Sequence, residues 1–162
     1  MRFSNGGQFL AAAYPRQKSS AQKSSVHLIN IYNSYTLEEV GRLSDHSNII
    51  TDLVWKPDDR ALYSAGADGT VSEWRQGDPK SEGKEWTGRK WTQPNGRYAC
   101  AVYEKAARSV LAAGVEGGKS VVREVRVEKE GSQKVFAVGG FKLVRLCWLS
   151  SQWNVAAVLG GT

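Results

Sequence analysis

The sequence predicts an all-β protein, an incomplete β-propeller of about three and a half blades. Three observations lead to this prediction: an internal repeat, short apolar stretches separated by tight turns, and one set of polar residues at blade spacing. The chain has 162 residues, of which 41% are hydrophobic, so it can bury an ordinary globular core. Its 17 Gly and six Trp residues are typical of many tight turns between aromatic strands.

The stretch 45–75 shows the strand pattern most clearly. An apolar run at 53–55 is followed by turn residues at 56–60 and by a second apolar run at 61–66. Asp68-Gly69 is a two-residue hairpin signal, and residues 70–74 then alternate with a period of two. The stretch therefore predicts three antiparallel strands joined by two short turns.

The same pattern recurs along the chain at intervals of about 45 to 52 residues, which is close to the length of one blade. Each copy has an aromatic residue in its first strand and a small residue nine positions later in its second strand. The four pairs are Phe3 with Ala12, Trp55 with Ser64, Tyr103 with Ala112, and Trp148 with Ala157. Small residues suit the second strand because neighbouring blades approach each other closely there.

The repeat divides the chain into blade units at about 1–43, 44–93, 94–140 and 141–162, the last of them incomplete. A closed propeller has about four to eight blades, and closure removes the unpaired strand edges. We therefore expect residues 1–162 to form one partial propeller domain that is a fragment or one piece of a larger ring. The polar, basic segment 15–25 is expected to be a surface loop between two strands of the first unit. Residues 37–43 are expected to form the outer strand of that unit.

His46, Ser64, Asp68 and Trp74 form the set of polar residues in the second unit. At this spacing they resemble the WD-repeat family, in which Asp holds His, His holds Ser, and Ser binds the Trp ring N–H. The resemblance implies a WD40-type β-propeller in which these side chains stabilise the turns of the blade. Asp45 before His46 and Arg75 after Trp74 depart from the family pattern.

A closer resemblance is to the cilia- and flagella-associated WD-repeat proteins. It depends on the sequence at 31–36, on Trp55 with Asp58-Asp59, and on the run 68–74. The resemblance implies a non-enzymatic scaffold in the ciliary or flagellar axoneme that docks or regulates inner dynein arms, with dynein-arm components or tubulin among its protein partners. The alternative is a generic cytoplasmic WD-repeat adaptor, such as a ubiquitin-ligase substrate receptor or a trafficking scaffold.

No catalytic motif, cofactor-binding motif or metal-ligand spacing is evident in the sequence, so we expect no enzyme activity, no cofactor and no metal. His46, Ser64 and Asp68 also fit a Ser-His-Asp triad, but the blade interpretation accounts for Trp74 as well. Cys100 and Cys147 lie in apolar strand-like runs and are expected to be buried thiols. The third unit lacks the His and the Trp and has Glu116 in place of the Asp, so we expect packing to hold it together.

The net charge of +6 would favour an acidic partner surface, but the basic residues are scattered along the chain, so a merely solvated surface is the preferred interpretation. Trp86 and Trp91 lie among Lys84, Arg89 and Lys90, which is a pattern that can bind single-stranded nucleic acid by stacking. We expect no nucleic-acid binding, because there are only two such aromatics and outer strands commonly carry large apolar residues. No run approaches the roughly 20 apolar residues of a membrane span, so no membrane association is expected.

Overall fold

The computed structural model describes residues 1–15, 27–77, 86–105, 108–126, 135–137, 142–148 and 155–160. These residues form strands and turns, and no helix occurs among them. In this part of the chain there are fourteen strands: β1 (Arg2–Phe3), β2 (Phe9–Pro15), β3 (His27–Asn33), β4 (Glu39–His46), β5 (Ile50–Trp55), β6 (Ala61–Gly66), β7 (Thr70–Gln76), β8 (Trp86–Thr92), β9 (Gly96–Glu104), β10 (Ser109–Glu116), β11 (Lys119–Val125), β12 (Val135–Ala137), β13 (Lys142–Trp148) and β14 (Val155–Gly160).

The strands form antiparallel sheets in which each strand pairs with the next strand along the chain. β1–β4, β5–β8 and β9–β12 are four-stranded sheets, and β13–β14 is a two-stranded sheet. The first strands of successive sheets contact each other, β1 with β5, β5 with β9, and β9 with β13. The sheets are therefore the consecutive blades of an open propeller, with their first strands on the inner side.

The core lies between neighbouring blades, where apolar residues on alternate strand positions face each other. Between the first two blades, β2, β3 and β4 contribute Phe9, Ile29, Ile31 and Leu43, which pack with Leu53, Trp55, Leu62 and Trp74. Between the second and third blades, Tyr63, Ala65 and Val71 pack with Tyr98, Tyr103, Val110 and Val125. Each large side chain buried in this way contributes about 1.5–3 kcal/mol.

Trp86, the first residue of β8, joins the first two blades. Its ring lies edge-on to Phe9, with centroids 6.4 Å apart, and to Trp55, with centroids 6.0 Å apart. It also covers Gly41 of β4, where a Cβ would lie 2.5 Å from Trp86 Cδ1. Glycine at this position allows the tryptophan to pack against the backbone of the first blade.

Polar contacts also join the blades on their inner side. Asp52 on β5 forms an ion pair with Arg2 on β1 and accepts a hydrogen bond of 3.0 Å from the Ala101 N–H on β9. The Thr51 hydroxyl donates to the Tyr98 carbonyl oxygen at 2.9 Å. Two neighbouring residues of one inner strand thus bind both adjacent blades.

The outer strand expected over 37–43 begins two residues later, at Glu39, and extends to His46. Leu37 has φ 59°, which is incompatible with a strand, and its N–H donates to the Asn33 carbonyl at 2.8 Å. The turn before β4 is therefore longer than the sequence indicated. His46 is the last residue of β4 in the first blade, but its side chain forms hydrogen bonds with residues of the second blade.

Three other sequence expectations concern particular segments. Residues 16–25 of the expected loop lie outside the described residues, and so does the side chain of Cys147. Cys100 on β9 is buried. Among the described residues, no helix has the length and apolar character needed to cross a bilayer.

Candidate functional site

Four side chains from three strands and one turn meet inside the second blade. His46 lies at the end of β4, Ser64 in the middle of β6, Asp68 in the turn after β6, and Trp74 on β7. His46 Nδ1 is 3.1 Å from Asp68 Oδ2, and His46 Nε2 is 2.7 Å from Ser64 Oγ. Trp74 Nε1 donates to Ser64 Oγ at 3.0 Å. The structure thus brings together all four residues that the sequence singled out; we call them the tetrad.

The hydrogen bonds fix the direction of each proton in the tetrad. Trp74 Nε1 can only donate, so Ser64 Oγ accepts from it and donates its own proton to His46 Nε2. The Nδ1–H of His46 then donates to the Asp68 carboxylate. Every polar atom in the series of hydrogen bonds from Trp74 through Ser64 and His46 to Asp68 therefore has a partner, as buried polar groups require.

Asp68 also fixes the backbone around it. It accepts the N–H of Ser47 at 2.8 Å and the N–H of Thr70 at 3.0 Å. Burial alone would raise the pKa of Asp68, but the hydrogen bond from His46, together with these two N–H groups, lowers the pKa to about 2. The carboxylate is therefore ionised at neutral pH and holds the β4–β5 connection against the β6–β7 turn.

The same geometry excludes Ser64 as a hydrolytic nucleophile. The order Asp68–His46–Ser64 matches a catalytic triad, but Ser64 is 1% exposed and His46 is 2% exposed. The Ser64 oxygen is also engaged by the Trp74 N–H, which donates to it at 3.0 Å. A nucleophile needs open space beside its oxygen for the reacting carbonyl, and the tetrad has none.

The third blade has a different polar cluster where the tetrad is missing. Glu116 at the end of β10 accepts hydrogen bonds from the Tyr98 hydroxyl, at 2.7 Å, and from Arg123 on β11. Arg123 also lies over the Trp91 ring, 5.0 Å from its centroid. Glu116 therefore ties β9 to β11 and adds a polar link to the packing that is expected to hold most of this blade together. Its pKa is lowered chiefly by the Arg123 hydrogen bond.

A buried glutamate was missed by sequence reasoning. Glu73 on β7 accepts hydrogen bonds from the Tyr63 hydroxyl at 2.6 Å and from Arg75 at 3.2 Å. The Tyr63 ring stacks on Tyr103 of the third blade, with centroids 5.5 Å apart. Burial, and then the hydrogen bond to Glu73, raise the pKa of the Tyr63 hydroxyl. The period of two places Glu73 on the same face of β7 as the apolar Val71, and this was the signal that could have found it.

The His, Cys, Asp and Glu side chains and the rings of Trp86 and Trp91 are the groups that could form a metal site or a nucleic-acid site. Within the described ranges, no three His, Cys, Asp or Glu side chains come together as metal ligands. Trp86 packs between Phe9 and Trp55, and Trp91 packs between Tyr98 and Arg123. Both rings are therefore engaged in blade interfaces and do not form a platform on which bases could stack.

Comparison with known proteins agrees with this geometry. The family described as "WD domain, G-beta repeat" matches residues 37–75, which include the whole tetrad. The chain contains a WD repeat. The chain is similar to two curated relatives: "Cilia- and flagella-associated protein 57" of Mus musculus, 38% identical over 80 residues, and "Cilia- and flagella-associated protein 57 C" of Tetrahymena thermophila, 32% identical over 77 residues. The matches cover 49% and 46% of this chain but only 6% and 5% of the relatives' own lengths.

Among solved structures, the chain is similar to the Cps50 (Swd1) β-propeller domain of Myceliophteria thermophila. The TM-score is 0.66 over 98% of this chain and 47% of that chain, at 17% sequence identity. At this identity the likeness shows the fold alone: the WD repeat lies in an incomplete β-propeller of the WD40 type. WD40 propellers are typically non-enzymatic scaffolds for protein–protein interaction, and no catalytic family is indicated for the chain.

Proposed function

We propose that this chain is a non-enzymatic scaffold of the ciliary or flagellar axoneme that helps to dock or regulate inner dynein arms. The similarity to the two cilia- and flagella-associated proteins carries the proposal, since it extends over 80 and 77 residues and exceeds 30% identity in both. This role implies that the protein is located in the cytoplasmic compartment of the cilium, on the axoneme. Its partners would be proteins, among them dynein-arm or regulatory components and tubulin.

The internal organisation of the blades supports a scaffold role. The side chains of the tetrad form hydrogen bonds with one another, so they make the second blade rigid. The turns and outer strands, by contrast, leave side chains exposed around a fixed frame; Tyr35 and Leu37, for example, are 77% and 71% exposed. Binding residues on loops held by a rigid frame are the common arrangement in interaction domains.

A fractionation experiment tests the proposal. A tagged form of the chain is expressed in ciliated cells, the membranes are removed with detergent, and the axonemes are sedimented. We expect the chain to stay with the axonemes and to cross-link to inner-dynein-arm or regulatory components. The same tagged chain in non-ciliated cells serves as the control for non-specific sedimentation.

Two outcomes would contradict the axonemal role. Recovery in the detergent-soluble fraction with ubiquitin-ligase or trafficking subunits would favour the generic cytoplasmic adaptor instead. Recovery as a soluble chain that cross-links to no protein in either cell type would contradict the scaffold role itself.

A further inference from the structure

The outer strands of the three four-stranded blades differ as pairing edges. β8 pairs with β7 over seven consecutive residues, from Thr70 with Thr92 to Gln76 with Trp86, without a register shift. β4 is interrupted by two register shifts against β3, and β12 has only three residues. Irregular or short edge strands are poor templates for a further strand, whereas a long regular one is a good template. Among the described outer edges, β8 is therefore the one best suited to accept another strand.

Both ends of β8 are held in place before any partner arrives. At one end Trp86 packs against Phe9 and Trp55, and at the other Trp91 packs against Tyr98. The four residues between them, 87–90, are exposed. Because the strand is already ordered, less conformational entropy is lost when a partner binds to it.

The register shows which backbone groups face outward. The Gln93 N–H donates to the Gly69 carbonyl at 2.9 Å, so this pair is hydrogen-bonded across the β7–β8 ladder. In an antiparallel ladder such pairs alternate, and the next ones place the N–H groups of Trp91, Arg89 and Thr87 against β7. The N–H groups of Lys90 and Gly88 therefore point away from β7, toward the outer edge of β8, with which no described strand pairs.

The charge of β8 indicates the kind of strand that would pair with it. The strand carries Arg89 and Lys90 and no acidic residue, and the chain has a net charge of +6. Asp45 binds the Lys90 ammonium at 2.6 Å, yet that side chain remains about half exposed. Opposite charges on paired strands stabilise the pair, and like charges destabilise it.

We propose that the free edge of β8 binds an extended, acidic segment of a partner protein by β-strand addition. The backbone groups of Gly88 and Lys90 supply the hydrogen bonds, and the positive charges of Arg89 and Lys90 select an acidic sequence. The inference rests on the interaction role proposed above and adds the surface and the chemistry of one partner. Without such a partner, the two basic residues would serve only to keep β8 from pairing with other chains.

Two variants of Lys90 separate backbone pairing from charge. The probe is a fluorescein-labelled ten-residue peptide of alternating Glu and Thr, and its binding to the 162-residue chain is followed by fluorescence anisotropy. Lys90→Ala removes the ammonium group but keeps the outward N–H. Lys90→Pro also removes the N–H, and proline is tolerated at an edge position whose N–H faces solvent. We expect Lys90→Pro to bind about tenfold more weakly than Lys90→Ala, because an outward hydrogen bond is lost.

A second comparison changes the peptide and keeps the parent chain, so its result does not depend on whether a Lys90 variant folds. The same Glu-Thr peptide N-methylated at alternate residues retains its charge but cannot complete a ladder, so we expect it not to bind. A Lys-Thr peptide is expected not to bind either, because it carries the wrong charge. Equal affinity of the methylated and unmethylated peptides, equal affinity of the two Lys90 variants, or no binding of the Glu-Thr peptide overturns the inference.

Failure of this inference is distinguishable from failure of the proposed function. Axonemal retention measured by detergent extraction does not depend on the Glu-Thr peptide. If the chain stays on axonemes but does not bind the peptide, only the β8 inference is overturned. If it binds the peptide but does not stay on axonemes, the axonemal role is contradicted and the peptide-binding edge stands.

Discussion

Asp59 binds Asn5 across the boundary between the first and second blades. Its carboxylate accepts the backbone N–H of Asn5 at 2.7 Å and the Asn5 side-chain amide at 2.7 Å, and it also accepts the Gly6 N–H at 2.6 Å. Burial opposes the charge, but these three donors lower the pKa of Asp59 below its ordinary value. One carboxylate from the β5–β6 turn thus holds the β1–β2 turn of the neighbouring blade.

Removing the Asp59 carboxylate is expected to weaken the joint between the first two blades. Asp59→Ala loses three hydrogen bonds to a charged group, and Ala tolerates φ 56° poorly, so we expect a loss of about 2 kcal/mol in the free energy of unfolding. The measurement is urea denaturation followed by tryptophan fluorescence. Asp58→Ala in the same turn is the control, because Asp58 is exposed and its two contacts among the described residues, an ion pair with Lys56 and a hydrogen bond from the Arg60 N–H, do not cross to the other blade. Equal losses for the two variants would contradict the joint.

Ser64 and Ser72 form a matched pair for testing the tetrad. They are direct cross-strand partners on β6 and β7 and are both buried, but the Ser72 hydroxyl has no hydrogen-bond partner among the described residues. Ser64→Ala leaves Trp74 Nε1 and His46 Nε2 unpaired, so we expect a loss of about 2–4 kcal/mol. Ser72→Ala removes an unpaired hydroxyl and is expected to change stability by less than about 0.5 kcal/mol. A larger loss for Ser72→Ala than for Ser64→Ala would contradict the assigned hydrogen bonds.

The pH dependence of stability is expected to report on Asp68. Its pKa is about 2 in the folded chain, against an ordinary value of 3.8, so its stabilising contribution is present above about pH 4 and is lost as the pH falls toward 2. The contribution amounts to about 2 kcal/mol. Asp68→Asn should therefore flatten the acid limb of a plot of unfolding free energy against pH. Asp59 and Glu116, whose pKa values are also lowered, should leave part of that slope in the variant. Identical slopes in the variant and the parent chain would contradict the role of Asp68.

The Tyr98 hydroxyl is expected to stabilise the third blade through Glu116. Tyr98→Phe removes a hydrogen bond of 2.7 Å to a carboxylate that keeps its bonds to Arg123, so we expect a loss of about 1–2 kcal/mol. Tyr35→Phe is the control, because Tyr35 lies in an exposed turn. The comparison is made by thermal denaturation, and losses of the same size in the two variants would show that the Glu116 cluster does not hold the blade.

The propeller and the tetrad could be predicted from the sequence because both depend on local spacing. The residues from Ser64 to Trp74 lie on two adjacent strands and the turn between them, so their separation in sequence fixes their separation in space. His46 stands eighteen residues before Ser64, and the resemblance to the WD-repeat family supplied the link between them. Sequence reasoning therefore reached the site through one hairpin and one family resemblance.

Contacts between blades could not be predicted in the same way. Asp59 and Asn5 are 54 residues apart, and their contact depends on how two whole sheets are oriented. The Glu116 cluster was missed because its residue types differ from those of the tetrad. Tyr98, Glu116 and Arg123 form a polar link within the third blade, as the tetrad does in the second blade. Leu37 was assigned to a strand because an apolar residue before an alternating run gives no sign of a positive φ.

The most direct test of the account is amide-type hydrogen exchange at the indole N–H of Trp74, followed by ¹H–¹⁵N NMR. The N–H is bonded to Ser64 inside a blade and its residue is 6% exposed, so we predict that it exchanges slowly in the parent chain and rapidly in Ser64→Ala. Slow exchange in both chains would show that burial alone protects the indole. Rapid exchange in the parent chain would contradict the buried tetrad, and with it the interpretation of His46, Ser64, Asp68 and Trp74 as a structural unit of the propeller.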